Sequence, residues 1–299
     1  MNTVALITDE ASLSEDYDMP LLLEACRTIG LGAEVCSWKD PTIDWSHFDA
    51  VLLRSPWSYV SHLPEFLAWC ERISALTELF NPLSAVRWNL DKFYLADLAA
   101  YGVPVVPSRF ISPGMNILLS LREFLAEHPE AEEIVIKPTV GAYSKDVQRY
   151  KRQEENKSVE HITYLTEKGC HVILQPYLES VDSDGETNLT YFDGVYSHAI
   201  RKGALLMSDG TVNFPLQEFR RAREAGEDER AVASFALDTA VRHMGLEGAL
   251  LYGRVDLVRS KDGNPIVLEI EICEPSLNLP FAEGSAMRFA QALAGRVMK

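Results

Sequence analysis

Three carboxylates near the C-terminal end carry the first chemical signal. Asp256 lies in RVDL, residues 254–257, and Glu269 and Glu271 lie two apart in IVLEIEICEPS, residues 266–276. In a strand, residues i and i+2 share a face. Glu269 and Glu271 therefore project together, while Leu268, Ile270 and Ile272 project the other way. Two like charges side by side on a half-buried strand are costly unless a cation lies between them. Oxygen-only ligands suit magnesium, which binds through one or two carboxylates together with substrate phosphates. The pattern points to nucleotide chemistry, although Glu-x-Glu alone is better read as a solvated strand face.

Two further segments could serve a nucleotide. IVIKPTVGAYSKDV, residues 134–147, delivers Lys137 at the end of an apolar strand and then turns through small and polar residues. Such a lysine reaches phosphate oxygens, and a small-residue turn lets backbone N–H groups approach them. The P-loop pattern is absent, and by itself the segment reads equally well as a hairpin with a surface lysine. LQPYLES, residues 174–180, is an apolar strand entering the acidic loop VDSDGE. It would set backbone groups against an adenine, with Glu179 and Asp182 as candidates for the ribose hydroxyls. Many strand-to-loop transitions look the same.

A basic set accompanies them: Lys92, Lys137, Arg201, Lys202 and Arg254. Such a cluster stabilises charge on a transferring phosphoryl group. Salt bridges to nearby acids are the plain alternative, above all for Arg201 and Lys202.

The elements that must position these residues begin with an alternating pattern. Strands are predicted at 4–8, 33–38 and 49–55, with helices at 20–30 and 63–76. This βαβ rhythm implies a parallel, doubly wound sheet, and no G-x-G-x-x-G follows its first strand. A helix is expected over LDKFYLADLAAYG, ended by Gly102. The middle segment reads as α+β, with strands SRFIS, EEIVIKP and CHVILQPYL and helices near 116–127 and 158–168. The last third predicts strands at 186–193, 195–201 and 249–259, a helix near 229–244, the acidic strand, and a closing helix from about 281. EFRRAREAGEDER, residues 218–230, reads as a charged connector.

Composition limits the alternatives. A chain of 299 residues with 47% hydrophobic content supports a full core. A net charge of −16, from 44 acidic and 28 basic residues, repels nucleic acid and anionic membranes. The five cysteines are scattered and contain no C-x-x-C pair, so zinc and a disulfide framework are both disfavoured. A reducing cytoplasm is the expected location.

Taken in order, the motifs resemble the ATP-grasp superfamily over nearly the whole chain. Lys92 is similar to its first phosphate lysine, and Lys137 to the second, on the IVIKP strand. The segment about 139–146, with Gly141 and Ser144, resembles the lid over the phosphates. Gln175, Pro176, Tyr177 and Leu178 resemble the hinge that binds adenine, and Asp256, Glu269 and Glu271 the magnesium ligands. Two departures stand out: Glu-Ile-Glu occupies the usual E-x-N, and the lid holds only one glycine. The resemblance implies an ATP-grasp fold, α/β and α+β. Its parts would be an N-terminal Rossmann-like pre-ATP-grasp domain (1–107), a central lid domain (108–180) and a C-terminal metal- and substrate-binding domain (181–299). It also implies ATP and magnesium as cofactors and a homodimer. The implied chemistry is phosphorylation of a substrate carboxylate, followed by attack of a nitrogen nucleophile on the acylphosphate. Arg254, Lys137 and Arg201 would be the catalytic cations, with Lys202 on the nucleotide.

A small amino-acid-derived substrate is expected. LLRSPWSY, residues 52–59, ends a strand where ligands of open α/β sheets bind. Arg54 would grip a carboxylate there and Trp57 or Tyr59 form a wall, with core packing an equal alternative. Glu186, Asn188, Glu274 and Ser276 would read a substrate amine. At whole-chain level MNTVALITDEASLSEDYDMP, LLRSPWSYV, SVDSDGETNLTYFDG and LEIEICEPSLNLP resemble the superfamily's D-cycloserine-forming cyclo-ligases. That resemblance implies ring closure of O-ureido-D-serine in antibiotic biosynthesis. An intermolecular carboxylate–amine ligase and a non-catalytic nucleotide-binding module remain as alternatives.

Overall fold

The computed structural model describes residues 2–142, 144–207 and 220–298. Strands β1 (Thr3–Thr8), β2 (Gly32–Ser37), β3 (Ala50–Ser55) and β4 (Glu78–Phe80) form a parallel sheet in the order β2-β1-β3-β4. Every residue of β3 is buried, as a strand covered on both faces must be. Val4, Leu6, Ala50 and Leu52 meet the helix Met19–Thr28 on one face. Ala5, Ile7, Val51 and Leu53 meet Phe66, Trp69 and Ile73 of the helix Leu63–Ser74 on the other.

The second sheet is antiparallel in the order β5-β8-β6-β7: β5 (Arg109–Ile111), β6 (Glu133–Pro138), β7 (Gln148–Lys151) and β8 (Val172–Pro176). Helices Ile117–Glu127 and Glu155–Glu167 pack on it around Phe124, Ile134, Ile136 and Ile162. The third sheet is also antiparallel, in the order β11-β10-β9-β12-β13. It comprises β9 (Glu186–Phe192), β10 (Val195–Lys202), β11 (Arg220–Arg223), β12 (Tyr252–Arg259) and β13 (Pro265–Glu271). Helix Glu227–His243 covers one face through Ala233, Ala236, Leu237 and Ala240.

The closing helix Ser285–Val297 does not build a core with the third sheet alone. Its Phe289 and Leu293 enter the cluster of Leu6 and Leu52 from the first sheet and Leu22 from the helix Met19–Thr28, and Phe289 stacks on Phe192 of β9 at 4.7 Å. The first and third sheets therefore share apolar burial.

Two local expectations are corrected. Arg220–Arg223 is not a connector but an edge strand paired with β10, and a helix starts at Glu227; residues 218 and 219 lie outside the described residues. Lys92 lies in a turn ahead of the helix Tyr94–Ala100, not within a helix. Its backbone N–H donates to Thr139 O at 3.0 Å, which ties the turn to the segment after β6. No described helix is long and apolar enough to cross a membrane.

Candidate active site

The acidic strand reaches its site through a step in register. Leu257 of β12 faces Val267, but Asp256 faces Glu269, so Leu268 is an extra residue in β13. Such a step re-aims a strand end. Arg254, Asp256, Glu269 and Glu271 thereby line one cavity of about 270 Å³. The facing wall comes from the second sheet: Lys137 at the end of β6, Gln175 and Pro176 at the end of β8, and Tyr177 and Leu178 beyond. Lys92, Gly141, Ser144, Glu186 and Lys202 line the same space, as do Trp57, Glu274 and Ser276. Among the described residues of segment 139–146, positive φ angles fall on Ser144 (53°) and Asp146 (59°), not on Gly141. At Ser144 and Asp146 the backbone thus adopts, without glycine, a conformation that glycine normally supplies.

The charges interlock across the sheets. Lys137 Nζ donates to Glu269 Oε1 at 2.5 Å, and Lys92 Nζ lies 3.8 Å from Glu269 Oε2. Burial opposes ionisation of Glu269, yet Lys137 and Lys92 outweigh it and hold the carboxyl at about 2. Arg254 grips Asp256 with both ends of its fork, Nε at 2.7 Å and Nη2 at 2.8 Å. The same guanidinium reaches Glu271 at 2.5 Å and the carbonyl of Ser276 at 2.8 Å. Burial pushes the Glu271 carboxyl up; Arg254 opposes this, and neighbouring Asp256 and Glu269 add to it. Lys202 Nζ donates to Glu186 Oε2 at 3.0 Å. Next to this pair, Gly185 lets the Lys202 backbone lie close: its φ is +73°, and a Cβ there would run into the carbonyl of Lys202.

Five expected site residues fall outside the cavity lining. Arg54 is wholly buried, donating from Nη2 to Pro275 O at 3.0 Å with Asp18 at 3.7 Å. Its guanidinium lies beside the rings of Tyr252 and Phe289, 6.0 and 5.8 Å from their centres, so of the two expected roles, carboxylate grip or core packing, the structure shows the structural tie. Arg201 donates to the carbonyls of Asp184 and Ser183 at 2.5 and 2.8 Å. Alternation along β10 turns it away from the side that Lys202 faces. Glu179 is exposed. Asp182 accepts the Tyr177 hydroxyl at 2.6 Å and pairs with Arg149 at 3.3 Å. Asn188 is buried opposite Asp256.

Other residues carry parts of the site with little sequence signal. The Asn89 side chain donates to Ile270 O at 2.9 Å and accepts from Ile272 N at 2.9 Å. Ile270 N donates to the Tyr94 hydroxyl at 3.1 Å. These side chains take the place of a neighbouring strand along the open edge of β13, where unpaired backbone groups would otherwise remain. Arg220 lines the cavity and donates to Asn278 Oδ1 at 3.1 Å, over the Tyr17 ring. Its only trace in the sequence is the basic run RRAR, inside a stretch that reads as a charged connector. Among the described residues, no group of three or more His, Cys, Asp and Glu is disposed to hold a metal by itself.

Residues 4–81 match the family model for the N-terminal domain of D-cycloserine synthetase DcsG. The chain is 60% identical over 297 residues to the cycloserine biosynthesis protein DcsG of Streptomyces lavendulae, covering 99% of each chain. A crystal structure of D-cycloserine synthetase DcsG matches with a TM-score of 0.96 and 60% identity, over 99% of this chain and 100% of that one. The fold is shared with D-alanine–D-alanine ligase from Bacillus anthracis, at 12% identity and a TM-score of 0.65, over 100% of this chain and 98% of that one. It is shared too with the ATP-grasp ligase PsnB, at 17% identity and a TM-score of 0.64, over 99% of this chain and 98% of that one. With the interlocked cavity between its second and third sheets, the chain belongs to the DcsG family of D-cycloserine synthetases, which have the ATP-grasp fold.

Proposed function

We propose that this protein is an ATP- and magnesium-dependent carbon–nitrogen ligase that closes O-ureido-D-serine to D-cycloserine. The observation that carries this is the convergence of Lys92, Lys137, Lys202 and Arg254 on Glu269, Glu271 and Asp256 in one cavity. Family membership at 60% identity supports the substrate.

The donor set fits magnesium. Hard carboxylate oxygens of Glu269 and Glu271 face the cavity, and Asp256, held by Arg254, stands beside them as a third candidate. Magnesium needs only one or two protein carboxylates when phosphates complete its shell, so a cluster of three protein ligands is not required. When bound, the ion supplies charge neutralisation at the phosphates.

The chain's own residues then do the positioning. Lys137 and Lys92 would hold nucleotide phosphates, while Gln175–Leu178 would seat the adenine. The substrate carboxylate takes the γ-phosphoryl group of ATP, releasing ADP, with Arg254 near the developing charge. The substituted nitrogen of the same molecule attacks the acylphosphate and expels phosphate. Hydrolysis of the carbamoyl group to carbon dioxide and ammonia completes the cyclic product. No protein nucleophile is needed; holding the two ends of one molecule together supplies most of the acceleration. Trp57, Glu274 and Ser276 form the end of the cavity suited to the amino-acid part. Burial raises the Glu274 pKa, against hydrogen bonds from Tyr59 and Cys273 that lower it.

ADP release with Mg-ATP across a panel tests the assignment: O-ureido-D-serine, its L-enantiomer, and D- and L-amino acids alone and in pairs. Release with O-ureido-D-serine alone, with the cyclic product by mass spectrometry, is expected. Turnover only with pairs would replace it with an intermolecular ligase.

A further inference from the structure

The segment after the acidic strand, residues 274–279, belongs to no sheet, yet its backbone is bound by side chains from both ends of the chain. The Glu274 carbonyl accepts from Trp57 Nε1 at 2.9 Å, and that of Pro275 from Arg54 at 3.0 Å. The Ser276 carbonyl accepts from Arg254 at 2.8 Å. The Leu277 carbonyl lies 2.8 Å from His198 Nε2 and 3.3 Å from Thr190 Oγ1. The N–H groups of Leu277, Asn278 and Leu279 all donate to one carboxylate, that of Asp18, at 2.5, 3.2 and 2.7 Å. Asn278 is thereby kept at a φ of 59°, which costs a non-glycine residue strain unless its surroundings hold it. Its Oδ1 accepts from Tyr17 and Arg220, and Arg220 lines the cavity.

We propose that Asp18 is a positioning residue for the reaction, holding this strap so that Glu274, Ser276 and Arg220 face the substrate. Asp18 is fully buried and does not line the cavity, so it acts only through the strap. Three N–H groups converging on one ionised carboxylate are among the stronger hydrogen-bond arrangements. Arg54 is the partner of this device, bridging Asp18 and Pro275. The substrate end of the cavity is thus tied to the N-terminal elements through Asp18, Arg54 and Trp57. Asp18 influences the small substrate only if the ligase function proposed above holds, and the test separates the two.

Wild type, Asp18→Asn and the milder Tyr17→Phe are compared by steady-state ADP release and by amide exchange at Leu277, Asn278 and Leu279. For Asp18→Asn we expect the KM of O-ureido-D-serine to rise at least about tenfold, the KM of ATP to stay within about twofold, and the three amides to exchange faster. Tyr17→Phe should show the same split at about threefold, which keeps the test open if Asp18→Asn folds poorly. Equal rises in the two KM values, or no rise in either, would overturn the assignment of Asp18 to the substrate end of the cavity. Unchanged amide exchange in Asp18→Asn would overturn the strap itself. Wild type inactive with O-ureido-D-serine would reject the assigned substrate. The strap then stands on faster amide exchange in Asp18→Asn with ATP affinity, measured by calorimetry, intact, and falls without it.

Discussion

Lys137 and Glu269 meet at 2.5 Å across the cavity, one from the end of β6 and the other from β13. Burial lowers the Lys137 pKa, and Glu269 is the largest influence that raises it. Glu269→Gln removes that support and a candidate magnesium ligand together. ADP release at saturating ATP should fall by about a hundredfold or more, in the range for a lost electrostatic group. An unchanged turnover would remove Glu269 from the reaction.

Arg254 satisfies three partners with one fork: Asp256, Glu271 and the Ser276 carbonyl. Asp256 is 3% exposed, so removing the guanidinium strands a buried charge. Arg254→Met should lower unfolding stability by about 3–5 kcal/mol, the usual cost of breaking a buried pair. Arg254→Lys should recover part of this, because an ammonium restores charge but not bidentate geometry. Urea unfolding of the three proteins measures both.

The strap is held by two groups whose titrations oppose each other. Burial pushes His198 down from 6.5 to about 4. The unfolded chain then takes up a proton that the folded one refuses, so this contribution is complete above pH 6.5 and lost as pH falls to about 4. Burial pushes Asp18 up from 3.8 to about 6, against Arg54. Its folded form keeps a proton that the unfolded chain releases, so this contribution is complete below pH 3.8 and lost as pH rises through about 6. Each amounts to about 3 kcal/mol at most. Relative to wild type, His198→Gln should make stability fall more steeply from pH 4 to 6, and Asp18→Asn should make it rise. Slopes of the same sign in the two variants would refute this.

Removing divalent cations with a chelator should abolish ADP release, and added magnesium should restore it. Nucleotide phosphates are expected to complete the metal shell, so magnesium should bind tightly only with ATP or ADP present. Calorimetry on the protein with and without ADP reads this. Equal affinity in both states would mean that protein carboxylates alone form the site.

Gly185 lies at φ +73°, with the Lys202 carbonyl where a Cβ would stand. Gly185→Ala should therefore destabilise by more than about 1 kcal/mol, since the backbone must shift. It should also disturb the Lys202–Glu186 pair next to it, raising the KM of ATP. A thermal melt and an ATP titration check the two effects.

The sequence by itself determined the order of chemical parts. Apolar strands ending in Lys137 and in Gln175–Leu178, and the alternation of Glu269 and Glu271, are local properties, because strand period and burial are written in neighbouring residues. The parallel first sheet and the amphipathic helices were legible for the same reason. Tertiary structure decided which charges meet. Arg201 and Lys202 look alike in sequence, but only Lys202 faces the cavity, because β10 pairs with β9 in one register. Arg54 at its strand end reads equally as a ligand or as core, and the structure buries it beside Phe289 of the closing helix and against the strap. Asp18, Asn89 and Tyr94 carried no signal at all. Their partners are backbone groups some 180 to 260 positions away, and any residue type supplies an N–H or a carbonyl. Contacts to distant backbone leave no mark on the partner's side chain, so only the folded chain shows them.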